Sequence, residues 1–268
     1  MTRTSPLPVS HEQTRDGDHR LLTRLQESMT TLLIRELHTA GIQHGQRVLD
    51  IGAGTGTLTD HLARFVGPHG RVVAVNTDTD QLRPTSIIDV HCRDIRTEPL
   101  PGEPGTYDVV IARCLDQQHA HRPDTIEQMI TLLKPGGWLV LGELTYAPTV
   151  VYREPDAENA SALITVVADA VLAALINDDQ LMNWGTWAPA TLLRYGMEHI
   201  CVFDHAETWT GGGPGTAFLA DHARRLHDVL LQAGLPADDL NRFLNLVMDP
   251  ALVMRSFPTG TLHARKPR

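Results

Sequence analysis

A chain of 268 residues with 42% hydrophobic content is long enough for one large α/β domain carrying an insertion, or for two small domains, and is neither fibrous nor disordered in composition. The net charge is −9, and no dense Lys/Arg stripe appears before the short tail Arg265-Lys266-Pro267-Arg268, which argues against a nucleic-acid partner. Cys92, Cys114 and Cys201 are widely spaced in or beside apolar runs, as buried, reduced thiols rather than disulfides or metal ligands. No apolar run reaches membrane-spanning length and the N-terminus lacks a signal-peptide apolar region, so a cytoplasmic protein without a membrane partner is expected.

Residues 1–17 are polar, with Pro6, Pro8 and Gly17, and read as a flexible tail. Asp18 can cap a helix from about His19 to Thr39, whose stripe Leu21, Leu22, Leu25, Met29, Leu32, Leu33 and Leu37 recurs at helical spacing, with Gly41 as its stop. Most of that stripe faces a core; Glu27-Ser28-Met29-Thr30 is the part placed to roof a ligand. Val48, Leu49 and Ile51 then form a short buried strand, and Gly52, Gly54 and Gly56 remove three Cβ atoms within five residues. Thr57 opens a helix over Leu58 to Phe65, whose first free N–H groups point back at the turn.

Further strands are expected at Arg71 to Val75, Ile87 to Cys92, Tyr107 to Ala112 and Trp138 to Gly142. A helix over Asp124 to Leu133 lies between the last two, ended by Lys134-Pro135-Gly136-Gly137. Strands alternating with helices imply a doubly wound, mostly parallel sheet. Past Glu143 the pattern changes. Ala157 to Ile176 reads as a strongly apolar helix, and Trp184, Trp187 and Tyr195 follow close together. Ile200 to Trp209 reads as a strand, Ala217–Ala233 and Ala237–Val247 as helices, and Ser256 to Ala264 as a final strand that can pair antiparallel with 200–209. The organisation expected is a single domain over 18–268: a ligand-binding core (18–145), a lid and recognition insertion (147–195) and a segment completing the sheet (196–268).

The glycine spacing discriminates. A dinucleotide fingerprint would need a third glycine at position 57, where this chain has Thr57. Five blocks occur in one order: VLDIGAGTGTLT, VVAVNTDTDQL, CRDI, YDVVIARCLDQQH and LLKPGGWLVLGE. Together they resemble class I S-adenosylmethionine (SAM) methyltransferases, well over about 20–145 and more weakly, in the bacterial small-molecule and natural-product type, over 190–268. The resemblance implies a Rossmann-like fold with a seven-stranded sheet whose last strand is antiparallel, and SAM as cofactor.

The same resemblance assigns residues. Gly52, Ala53, Gly54 and Gly56 let the backbone approach the ligand, and Asp50 reaches the amino-acid end of SAM. Asn76, with Thr77 beside it, stands where the family has an acidic residue for the ribose hydroxyls; an amide lacks the charge-assisted strength of a carboxylate. Asp94 matches the acceptor of the adenine amine, with Ile95 donating its N–H to the ring, and Arg113, Cys114 and Leu115 line the pocket beyond the fourth strand. His119, and second His121, are candidate general bases. Glu143, Trp184, Trp187 and Tyr195 are candidates for a small, partly apolar substrate.

No metal site is expected: His222 and His227 lack the spacing of H-E-x-x-H. No G-x-S-x-G points to a hydrolase, and no Asn-Pro-Pro-aromatic motif points to nucleobase or protein amine methylation. A homodimer is left open. Besides methyl transfer to O, N or C, two readings keep the fold: a cyclase or pericyclic catalyst using SAM as an electrostatic element, and a non-catalytic binding protein.

Overall fold

The first apolar run becomes β1 (Arg47–Ile51), and its β-branched and aliphatic side chains are buried on both faces, as a central parallel strand requires. β1 pairs in parallel with β2 (Arg71–Asn76) on one side and β4 (Tyr107–Arg113) on the other. β3 (Ile88–Cys92) lies outside β2, and β5 (Leu133–Leu144) outside β4. The computed structural model describes residues 30–95, 97–113, 123–145, 147–176 and 184–268.

Two later strands complete this sheet. β10 (Thr259–Arg265) inserts between β5 and β7 (Glu198–His205), antiparallel to both. The order is β3-β2-β1-β4-β5-β10-β7. The expected seven-stranded, mostly parallel sheet is therefore present, with its last strand reversed. Direction along the sheet changes between β1 and β4, the place where open α/β sheets bind ligands at the carboxyl ends of their strands.

A helix over residues 30–40, α1, and α2 (Thr57–Val66) share one core with this sheet. Leu33 and Leu37 of α1 belong to the same buried cluster as Leu58 and Leu62 of α2 and Val48, Val109 and Val140 of the strands. α3 (Pro123–Leu132) precedes β5, and the Lys266 ammonium donates to the carbonyls of Ile130 (2.7 Å) and Leu133 (2.8 Å) near its end. Burial holds the pKa of that ammonium below the usual lysine value. α5 (Trp184–Arg194) packs against β7.

The other compact unit comprises residues 147–176 and 206–257 of those described. Its apolar helix α4 (Ala160–Ile176) buries Ile164, Val167, Val171 and Leu172 and packs against α6 (Pro214–Arg225) and α8 (Ala237–Leu246), with the short α7 (His227–Gln232) between them in sequence. A small antiparallel sheet, in the order β6 (Val151–Arg153), β9 (Val253–Arg255), β8 (Thr208–Thr210), completes it. Trp209 of β8 lies flat against Gly215 at the start of α6: a Cβ there would sit 2.3 Å from the ring.

Several boundaries differ from those read off the sequence. Residues 134–137 do not end the helix before β5 but arch out within the strand, because Tyr107 faces Leu133 while Val109 faces Trp138. The strand expected over 200–209 is two strands in two sheets, and the helix expected over 217–233 breaks at Leu226. The three-stranded sheet has no sequence signal, its strands being three residues each. The segment 147–195 divides between the two units, 147–176 in one and α5 in the other.

Gly215→Ala should lower unfolding stability by about 2 kcal/mol, since Trp209 must move from its packed position. Thermal and urea denaturation of the full chain measure this, and an unchanged midpoint would contradict the packing.

Candidate functional site

Between β1 and α2 the chain turns through three left-handed glycines, Gly52 (φ 75°), Gly54 (φ 56°) and Gly56 (φ 82°). Two N–H groups, of Gly52 and Ala53, donate to the carbonyl of Val75 in β2 (2.9 and 3.1 Å), which ties the turn to the neighbouring strand. A Cβ at Gly56 would meet Leu82 Cδ2 at 2.9 Å, so that side chain would have to shift, and the left-handed φ strains any other residue here.

Beneath the turn lies a buried ion pair. Asp50 is fully buried at the end of β1, and Arg113 is 1% exposed at the end of β4. Arg113 Nη2 donates to the carbonyl of Ala53 at 2.9 Å and stands 3.8 Å from Asp50 Oδ2; its Nε reaches the carbonyl of Gly52 at 3.4 Å. The Thr59 hydroxyl donates to Asp50 Oδ2 at 2.7 Å from the first turn of α2. Asp50 Oδ1 and Arg113 Nη1 are buried and have no hydrogen-bond partner among the described residues.

Such orphans are costly in an interior. A carboxylate oxygen and a guanidinium nitrogen, both unpaired under one glycine turn, match the two charges of an amino-acid zwitterion: the oxygen for its ammonium, the nitrogen for its carboxylate. The residues present therefore fit the methionine end of SAM.

Further along the sheet edge, Asn76 ends β2. Its Nδ2 donates to the carbonyl of Asp78 at 2.6 Å, so one amide hydrogen is committed to the loop. Cys92, exposed at the end of an edge strand and not buried as its apolar run suggested (Cys201 is exposed too), donates its thiol to the carbonyl of Thr77 (3.3 Å), and Asp80 N–H donates to Asp78 Oδ1 (3.0 Å), which holds residues 76–80 curled against β3. Asn76 Oδ1 is the group that can accept a ribose hydroxyl. Asp94 follows β3, half-buried, with Glu98 Oε2 accepting its N–H at 3.0 Å and its own carbonyl accepting from Thr97 and Glu98; Ile95 beside it is half-buried too. The glycine turn, Asn76–Thr77 and Asp94–Ile95 thus occupy the carboxyl ends of three adjacent strands, as the sequence implied.

Glu143 is 5% exposed in β5, opposite Gly260 of β10 and one residue beyond Gly142, the register partner of Arg113. Trp184 and Trp187 lie in α5, and Tyr195 follows it, half-buried, with its N–H bonded to the carbonyl of Thr191. His119, His121, Cys114 and Leu115 lie outside the described residues. Among the described residues no cluster of three or more His, Cys, Asp or Glu can hold a metal, and no helix is long and apolar enough to cross a membrane.

Sequence reasoning missed Thr59 and Leu82 and took Arg113 for a pocket-lining residue only. Thr59 could have been found, since it follows the last glycine by three residues and so falls on the first turn of the helix. The inward aim of Arg113 had no local signal.

Arg113→Met should cost about 3–5 kcal/mol of stability, because it strands Asp50 as an unpaired buried carboxylate. The double variant Arg113→Met/Asp50→Asn should recover part of that loss, as measured by denaturant unfolding.

Comparison with known proteins agrees with this geometry. Residues 22–210 match the family model described as a methyltransferase domain. The ubiquinone/menaquinone biosynthesis C-methyltransferase UbiE of Stutzerimonas stutzeri (strain A1501) is 33% identical over 117 residues, 41% of this chain and 46% of that protein. The chain spans about half the length of the curated relatives it first matches. Among solved structures, phosphoethanolamine N-methyltransferase 2 of Haemonchus contortus, in complex with phosphomonomethylethanolamine and S-adenosylhomocysteine, superposes with a TM-score of 0.52 at 15% identity, covering 90% of this chain and 53% of that one. The [4+2]-cyclase SpnF superposes with a TM-score of 0.50 at 17% identity, covering 98% and 99%.

Proposed function

Because the chain belongs to the methyltransferase domain family, whose methyl donor is SAM, we propose that it transfers a methyl group from SAM to an O, N or C atom of a small, partly apolar metabolite, in secondary metabolism and in the cytoplasm. The observation that carries this reading is the unpaired pair Asp50 Oδ1 and Arg113 Nη1 under the glycine turn. When bound, SAM supplies a sulfonium-activated methyl group, so the protein's share of the work is alignment and exclusion of water.

Each residue then has a task. Asp50 and Arg113 hold the amino-acid end, and the glycine turn admits the ligand to contact distance. Asn76 Oδ1 accepts a ribose hydroxyl, Thr77 lies beside it, and Asp94 and Ile95 receive the adenine edge. Glu143 binds a substrate amine or hydroxyl, while Trp184, Trp187 and Tyr195 supply apolar contact. His119, with His121 second, takes the proton of a hydroxyl nucleophile. The UbiE relative, named for C-methylation, favours a carbon acceptor. The partner is a small molecule rather than nucleic acid.

Asn76 favours a second reading. With a neutral amide at the ribose position, and its N–H already committed to Asp78, the pocket also suits a cyclase or pericyclic catalyst, or a binding protein, that never turns SAM over.

Calorimetric titration of the full chain with SAM and S-adenosylhomocysteine tests the cofactor, and a labelled-methyl assay against small aromatic and polyketide-like acceptors tests turnover. Micromolar binding with methyl transfer is expected. Binding without transfer to any acceptor would favour the second reading, and no binding at millimolar ligand would refute the cofactor assignment. Asn76→Asp should tighten SAM binding about tenfold, by converting a neutral hydrogen bond into a charge-assisted one; unchanged affinity would mean another group holds the ribose. His119→Ala should keep SAM affinity and lose turnover by about 10²-fold or more.

A further inference from the structure

A second buried polar group, separate from the ligand site, joins α1 to the sheet. Glu36 of α1 is 2% exposed. Its Oε2 lies 3.1 Å from His263 Nδ1 of β10, and its Oε1 lies 3.6 Å from Arg35 Nη2 and 4.0 Å from His205 Nε2 of β7. His205 Nε2 is also 3.1 Å from the hydroxyl of Thr261, which is fully buried in β10. Arg35 Nη2 is 3.1 Å from His205 Nδ1 and 3.2 Å from Nε2. A point nearly equidistant from both ring nitrogens cannot lie in the ring plane without striking the carbon between them, so the guanidinium nitrogen sits over the imidazole face.

That placement depends on charge. The π-face of a neutral imidazole attracts a cation, and an imidazolium repels it. We propose that Arg35, Glu36, His205 and His263 form a proton-sensitive latch that holds α1 on the sheet, and that protonation of His205 releases it and loosens the glycine turn.

The groups facing His205 are Arg35 and Glu36 from α1, His263 and Thr261 from β10, and Asp204 beside it on β7. On α5, which packs against β7, the described ionisable side chain Arg194 is bound to Thr191 Oγ1. Burial and Arg35 lower the pKa of His205 from 6.5, while Glu36 and Asp204 oppose them less strongly. The folded chain therefore takes up this proton less readily than the unfolded chain, and the hold on α1 weakens as pH falls below 6.5.

The link to the turn is packing. α1 ends at residues 40–41, which share a surface groove with Asp108 near the amino end of β4 and with Gly137 and Trp138 of β5. Its ten steps rise about 15 Å, roughly the length of β1, so its first turn reaches the level of the strands' carboxyl ends. On the way Leu33 and Leu37 share the core with Leu58 and Leu62 of α2, the helix that the glycine turn starts.

Hydrogen exchange by mass spectrometry on the full chain, at about pH 7.5 and about pH 5.5 and corrected for the intrinsic pH dependence of exchange, tests this. Amides of residues 30–40 and 52–60 should exchange about tenfold faster at the lower pH. His205→Asn, shown to be folded by circular dichroism at the higher pH, should lose the difference. Arg35→Gln, at an exposed position, should shrink the response, because it removes a cation that opposes protonation of the closed form and so brings the His205 pKa back towards its open-form value. A wild-type chain without the response, or a His205→Asn chain that keeps it, would overturn the latch. The latch concerns the same turn as the proposed SAM site but is read without ligand. An intact exchange response in a chain that fails to bind S-adenosylhomocysteine would uphold it and refute the methyl-donor reading alone.

Discussion

The carboxyl end of the central sheet depends on a charge pair that water cannot reach. Asp50 and Arg113 end adjacent strands, β1 and β4, and meet across the point where the sheet order reverses. Taking both charges out of water is expensive, and their mutual attraction offsets that cost only when the remaining valences are filled. The protein fills some of them from the turn itself: the guanidinium binds the carbonyls of Gly52 and Ala53, and Thr59 binds the carboxylate. The glycine turn is therefore held from below by a cation and from the side by β2. Among the described residues two valences stay open, and they are those a zwitterionic ligand would close.

The same face of the sheet carries the second polar group. Arg113 faces Gly142 in register, Gly142 faces Thr261, and Thr261 faces Phe203. Gly142, lacking a side chain, separates the Asp50–Arg113 pair from the cluster around Glu36. One group has open valences among the described residues; the other pairs its members, and burial and Arg35 hold the pKa of one of them, His205, below the usual histidine value. The proposed binding and holding groups thus lie on different strands of one layer, joined by the apolar core under α1 and α2.

Much of the fold was legible because its signals are local. β-Branched runs bounded by glycine announce central strands, and three glycines in five residues announce a turn whatever surrounds it. The positions of Asn76 and Asp94 followed from counting to the ends of strands. The breaks at Leu226 and between His205 and Thr208 were not legible, because each is set by which sheet or helix the neighbouring residues join. β6, β8 and β9, three residues each, are stable only as partners of one another. Arg113 read on sequence as a pocket lining, and its burial under the turn depends on carbonyls about sixty residues earlier.

By itself the sequence determined the class of fold, the direction of the central strands and the place of the turn, since these rest on hydrophobic period and on the φ range open to glycine. Tertiary structure alone decided that Asp50 and Arg113 meet, that two of their atoms stay unpaired, and that Glu36 finds His263 across 227 residues. Contacts between distant segments depend on register and helix rotation, and burial of charge has no local signature: the same Asp, Arg or His reads identically whether it faces water or another charge in the dry interior.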